Sequence, residues 1–160
     1  MADEAIKRKI EQAESHLGKL GSPESELAAE AHFSALLACV RTVVMYAHEW
    51  LVANGRATNV HDWARIQAWE KSLPTDDHAA WRALTALRNV DIHEQPIVPY
   101  RVHRGGWDGG WMGEWTGGWN GGALVREVAN PRTGASTSVL AIAEGGLRAV
   151  RNLLSVYQTL

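Results

Sequence analysis

The sequence predicts a mainly α protein, a four- to five-helix bundle carrying an inserted β-ribbon and a Gly/Trp-rich loop. Three observations predict it. Apolar residues recur every three or four positions through residues 1–93 and again near 138–158, the period of a helix with one buried face. That period stops over 97–134, where IVPYRVH and ALVREVA have strand-like composition. Between those two runs lies GGWDGGWMGEWTGGWNGG, whose nine glycines in eighteen residues argue against a stable helix. With 160 residues, 46% of them hydrophobic and 21% charged, the chain reads as one globular domain over 1–160, with an insertion at about 97–134.

The first helix places Ile6, Ile10, Ala13, Leu17 and Leu20 on one stripe and can end at Gly21. Ser22 is then the expected cap of the second helix, with Pro23 in its first turn, where a missing N–H is tolerated. That helix runs through Phe33, Leu36, Leu37, Val40, Val43, Val44, Ala47, Trp50 and Leu51 to Asn54-Gly55, a pair that accepts left-handed backbone. A short third helix is expected over 60–72, capped by Asn59, with Trp63, Ile66 and Trp69 inward. Pro74 breaks it. Thr75 or Asp76 can cap the fourth helix, which buries Trp81, Leu84 and Leu87 and runs into RNVDIH. The last helix, over 138–158, uses Val139, Ile142, Ala143, Val150, Leu153, Leu154 and Tyr157, and its Gly145-Gly146 pair can admit a neighbouring helix. The strand-like runs can pair as an antiparallel ribbon turning at NPRTG, residues 130–134. Trp107, Trp111, Trp115 and Trp119 fall four apart, so an extended segment puts them on one side, whereas a looped one does not.

A net charge of -2 argues against coating duplex DNA by bulk electrostatics. Residues 1–80 hold eight Lys/Arg against twelve Asp/Glu, while 81–160 hold eight Arg against six acids. All the cations of the second half are arginines, the side chain best shaped to fork onto phosphate, so a local polyanion site is allowed. The single Cys39 fits a reducing compartment, and neither a signal peptide nor a membrane span is expected, so the cytoplasm is the default location.

RNVDIH, residues 88–93, ends an apolar-striped helix with an arginine, an asparagine and a histidine. Arg88 can hold a phosphate through paired N–H donors and neutralise charge that develops in the transition state. His93 can take a proton from an attacking hydroxyl or, protonated, give one to a leaving oxygen. Asn89 can orient either group. Such a set suits metal-independent RNA cleavage, in which the adjacent 2′-hydroxyl attacks phosphorus and expels the 5′-oxygen, leaving a 2′,3′-cyclic phosphate. One histidine per chain leaves the acid–base pair incomplete unless water or a second chain contributes. Around a continuous helix positions 88 and 93 lie about 140° apart, so the long arginine must wrap, or the helix must loosen near Ile92, for the two to meet. The plain alternative is a helix end in which Arg88 pairs with Asp91 or Glu94 and His93 faces the negative carbonyl end.

With Arg88, Asn89 and His93, four residues between the Arg and the His, at the end of a bundle helix, the chain resembles the HEPN domain family. The resemblance covers the helical residues 1–93 and the closing helix; residues 97–134 have no place in it. It implies a symmetric homodimer with two Arg/His pairs facing one cleft. It also implies an endoribonuclease acting as a toxin or defence component, in some cases restrained by a nucleotidyltransferase-like antitoxin. Other members are non-catalytic interaction or regulatory domains, and that second reading stays open here.

Further candidates are weaker. Trp107, Trp111, Trp115 and Trp119 can stack on single-stranded RNA bases, each worth about 1–3 kcal/mol, with Arg101 and Arg104 on phosphate; packing against the bundle or a second subunit is the stronger reading, because four exposed indoles invite aggregation. His61-Asp62 point in different directions on a helix, and His48-Glu49 lacks the second histidine of HExxH. His16 and His32 read as solvent-facing, and His78 as a residue helping a helix begin. Cys39 has no CxxC partner, and Arg148 and Arg151 suit either an anion cleft or solvent. No metal cluster, cofactor motif or phosphate-binding glycine loop is present in the sequence, so neither metal nor cofactor is expected.

Overall fold

The computed structural model describes residues 2–93, 100–104, 107–111, 115–119, 123–129 and 134–160, with side chains described for 2–89, 126–129 and 134–160. Five helices are present among these residues: α1 (Ala2–Gly21), α2 (Glu26–Ala53), α3 (Ala64–Ser72), α4 (Thr75–His93) and α5 (Val139–Val156). Five strands lie between α4 and α5: β1 (Tyr100–Arg104), β2 (Trp107–Trp111), β3 (Trp115–Trp119), β4 (Ala123–Ala129) and β5 (Ser136–Ser138). The mainly α bundle is therefore as expected.

The predicted stripes become the core. Ile6, Ile10, Ala13 and Leu20 of α1 are buried, while Leu17 is only partly so. They meet Phe33, Leu36, Leu37, Val40, Val43, Val44 and Leu51 of α2, all at most 1% exposed. Each such aliphatic side chain contributes about 1.5–3 kcal/mol on burial. The closing helix α5 packs on α1, α2 and α4, bringing Ile142, Leu147, Val150 and Leu153 into the same cluster. Helix α2 is long and apolar enough to cross a membrane by length and composition alone, but its buried residues face α1, α4 and α5.

The Gly145-Gly146 pair does admit α4. A Cβ on Gly145 would sit 2.3 Å from the Ala80 Cβ, and one on Gly146 2.3 Å from the Leu84 Cδ1. Trp69 of the short α3 is 1% exposed; its indole N–H donates to Asn152 Oδ1 at 2.9 Å, and its ring meets Trp81 edge-on at 5.4 Å.

Several helix starts differ from expectation, each for a hydrogen-bonding reason. The cap of α2 is Ser25, not Ser22: its hydroxyl accepts from the Ala28 N–H at 3.1 Å, and Pro23 falls in the connection. Helix α3 begins at Ala64, four residues late, because side chains fold 58–62 into a turn. Asn59 Oδ1 accepts from the His61 N–H at 2.8 Å, while Asp62 Oδ2 accepts from the Thr58 N–H and hydroxyl at 2.9 and 3.0 Å. Asn59 thus stabilises that turn and does not cap a helix, and Trp63 stands at the boundary, half-buried. Thr75 is itself the first residue of α4. At the end of α2, Asn54 stays right of the left-handed region (φ -99°) and Gly55 alone enters it (φ 66°).

The inserted region holds more sheet than a two-stranded ribbon. Strands β1 and β4 pair antiparallel, Tyr100 opposite Glu127 and Arg104 opposite Ala123, and β5 joins on the far side of β4. The sheet therefore reaches past residue 134 to Ser138, which also caps α5 by accepting from the Ala141 N–H. Val128 of β4, 2% exposed, enters the helical core, so the sheet is anchored to the bundle. The Gly/Trp-rich segment is a separate antiparallel hairpin, β2 with β3, pairing Trp107 with Trp119 and Trp111 with Trp115. The extended alternative holds there, and a loop does not. The first four residues of the expected NPRTG turn lie outside the described residues; Gly134 has φ 69°.

Candidate functional site

Arg88 projects from the last turns of α4, one helical step past Trp81, Leu84 and Thr85 on the same side. Helix α4 runs unbroken through His93. No loosening at Ile92 brings positions 88 and 93 together, so about 140° and about 7.5 Å of helix rise separate them within one chain. The side chains of Asp91, Ile92 and His93, and all of Glu94, lie outside the described residues.

The Arg88 side chain is half-buried. One terminal nitrogen donates to Asn89 Oδ1 at 3.4 Å, and Nε is buried with no hydrogen-bond partner among the described residues. Nor does any described carboxylate form an ion pair with it; the described pairs are Arg126–Glu26, Arg148–Asp77 and Arg151–Glu14. Among the described residues, Arg88 is therefore a cation with donors to spare near the end of a packed helix. Asn89 is exposed beside it.

A second guanidinium faces the same place. Arg41 of α2, half-buried, lines a narrow crevice of about 10 Å³ together with Trp81, Leu84, Thr85 and Arg88. Burial, and then the Arg88 charge, weaken the hold of Arg41 on its proton, with Glu70 acting the other way. Arg41 lies over the Trp63 ring, 5.2 Å from its centroid, and Trp63 in turn stacks on His48 at 3.8 Å. Next to the crevice a hollow of about 110 Å³ is walled by Glu70, Trp81, Arg82 and Thr85. Glu70 Oε1 accepts the Trp81 indole N–H at 2.8 Å, so that oxygen is already engaged.

Sequence reasoning passed over Arg41, His48 and Trp63 as a group. A signal was present: Arg41 is the lone charge within LLACVRTVVMYA, and His48 follows it by two helical turns. His48 is 2% exposed; its Nε2 donates to the Val60 carbonyl at 3.2 Å, which leaves Nδ1 buried without a partner. Nothing joins it to Glu49 as an acid–base pair.

The remaining candidates resolve as structure or stay apart. Asp62 serves the 58–62 turn, and hydrogen bonds from Thr58 and Ala64 hold its carboxyl below the usual carboxylate range, so His61-Asp62 is no catalytic dyad. Arg148 is paired to Asp77 at 2.8 Å and Arg151 to Glu14 at 2.5 Å, which takes both out of an anion cleft. Burial raises the Cys39 thiol, keeping it protonated and unreactive. His16 and His32 are not solvent-facing: they are half-buried, with Nδ1 atoms 3.3 Å apart. Arg101 pairs in register with Arg126 in β1–β4, and Arg104 ends β1; their side chains, and those of Trp107, Trp111, Trp115 and Trp119, lie outside the described residues. Among the described residues no group of three or more His, Cys, Asp or Glu could hold a metal ion. A hollow of about 350 Å³ between α4 and α5 is lined by Asp76, Ala80, Ile142 and Arg148; of the sequence candidates it holds Arg148, which is paired with Asp77.

Comparison of the chain with protein-family models, curated proteins and solved structures gives no match.

Proposed function

We propose that the protein is a HEPN-like, metal-independent endoribonuclease acting at the end of α4, with Arg88, Asn89 and His93 as its working residues. The observation that carries this reading is the state of Arg88. A half-buried guanidinium with a buried, unpartnered Nε and no described carboxylate against it is an unfavourable way to end a helix unless an anion completes it. The plain reading, Arg88 paired with Asp91 or Glu94, rests on two carboxylates that lie outside the described residues.

In the proposed reaction Arg88 grips the scissile phosphate and Asn89 fixes the guanidinium. Neutral His93 takes the proton of the RNA 2′-hydroxyl, whose oxygen bonds to phosphorus as the bond to the 5′-oxygen breaks. A second, protonated imidazole hands that leaving oxygen its proton. Two copies of the chain, arranged as a homodimer, supply both imidazoles. A toxin or defence role, held in check by a nucleotidyltransferase-like partner, is the setting we propose for such an activity.

The test incubates the protein with labelled single-stranded and structured RNA in EDTA, beside Arg88→Ala and His93→Ala. Cleavage leaving cyclic phosphate is expected, with a loss of about 10²- to 10⁴-fold in the His93 variant and none of the activity on DNA. Equal cutting by all three proteins rejects the reading, and RNA binding without cleavage replaces it with a non-catalytic interaction domain.

A further inference from the structure

Charged side chains that face one another at half burial are ordinarily of opposite sign, because removing either from water is costly unless a counter-charge is near. The α2–α4 crevice breaks that rule with two cations. Arg41 and Arg88 line the same crevice, neither forms an ion pair among the described residues, and the Nε of Arg88 is buried without an acceptor. Glu70, whose charge acts on Arg41, has one oxygen committed to the Trp81 indole. Arg41 is also held in place: the Trp63 ring beneath it is pinned by stacking on His48, which is itself buried. A guanidinium restrained by an aromatic face loses little further freedom when it binds.

We infer that Arg41 and Arg88 together form a two-guanidinium seat for one backbone phosphate of an RNA strand, Arg41 being a binding residue that the Arg88–His93 pattern does not include. This rests on the ribonuclease reading for the identity of the ligand. The crevice, about 10 Å³, is too small to enclose a phosphate, so the anion docks across its mouth, with the hollow beside Arg82 and Thr85 open to the adjoining nucleotide. Two forked donors on one phosphate satisfy its non-bridging oxygens and cancel the repulsion between the two cations.

The seat is tested with a short 2′-O-methyl oligoribonucleotide, which binds but has no 2′-hydroxyl to attack. Fluorescence anisotropy is expected to show binding weakened by about 10- to 100-fold in Arg41→Gln, with the slope of log affinity against log salt reduced by about one. Arg41→Lys should recover part of the affinity, and Arg151→Gln, a cation already paired with Glu14, should bind as the parent does. Thermal melting identifies an Arg41→Gln protein that has not folded, in which case Arg41→Lys and the salt slope decide. Unchanged affinity in Arg41→Gln, or an equal loss in Arg151→Gln, overturns the seat. Inorganic phosphate that binds as tightly as the oligonucleotide also overturns it, by making the site one for the free ion. If the parent protein cuts no RNA, the nuclease reading fails, while the binding measurements still judge the seat.

Discussion

His16 and His32 illustrate how much one contact between two residues can carry. Their Nδ1 atoms stand 3.3 Å apart where α1 meets α2, with the rings tilted at 5.5 Å. Burial first, then the charges of His32 and Lys19, lower the His16 imidazole below its ordinary value of 6.5. The sign of the pH effect follows. As pH falls, the unfolded chain binds a proton at this histidine before the folded one does, so stability is full above about pH 6.5 and declines below it, down to the folded value. Thermal midpoints measured from about pH 7.5 to 5.5 should fall less steeply in His16→Gln than in the parent protein. Parallel slopes would show that the pair does not couple to folding.

At the scale of elements, the contact between α4 and α5 depends on the absence of two side chains. Ala80 Cβ belongs to a short, rigid side chain, whereas Leu84 Cδ1 is the end of a flexible one. Gly145→Ala should therefore cost about 1–3 kcal/mol through forced separation of the helices, and Gly146→Ala distinctly less. Gly18 in α1 has nothing within 4 Å of an added Cβ, so Gly18→Ala should stabilise by about 0.5–1 kcal/mol through helix propensity alone. Denaturant melts of the three variants check the order; a Gly145 variant as stable as Gly18→Ala would mean the two helices can part without loss. The same scale explains the late start of α3. Asn59 and Asp62 both favour helix N-termini; here Asn59 and one Asp62 oxygen are consumed by the turn that precedes α3, and the other Asp62 oxygen accepts from the Ala64 N–H.

For the whole molecule, the unbroken α4 separates Arg88 and His93 around the helix, which favours a reaction centre shared between two copies. Because the proposed reaction takes one imidazole from each copy, an equal mixture of parent and His93→Ala chains should leave only about a quarter of the dimers with both imidazoles, and so about a quarter of the cleavage of an all-parent sample at the same total concentration. Activity that stays at half, in proportion to the parental chains, would mean that each chain works with its own histidine alone. The parent's activity per chain should also decline on dilution, as a bimolecular assembly requires.

The helical stripes, the glycine pair and the strand-like runs were legible in the chain because each depends on local spacing: a period near 3.6 buries Ile6, Val40 or Leu153 regardless of the partner. The pattern Arg88, Asn89, His93 was legible for the same reason. Tertiary structure alone decided the rest. It brought Arg41 beside Arg88 across 47 positions of sequence, tied Arg148 and Arg151 to acids on other helices, buried His48 beneath Trp63, and folded the tryptophan segment into a hairpin. Charge and aromatic contacts have no period. They depend on which helices become neighbours, and that is set by the shape of the packed core.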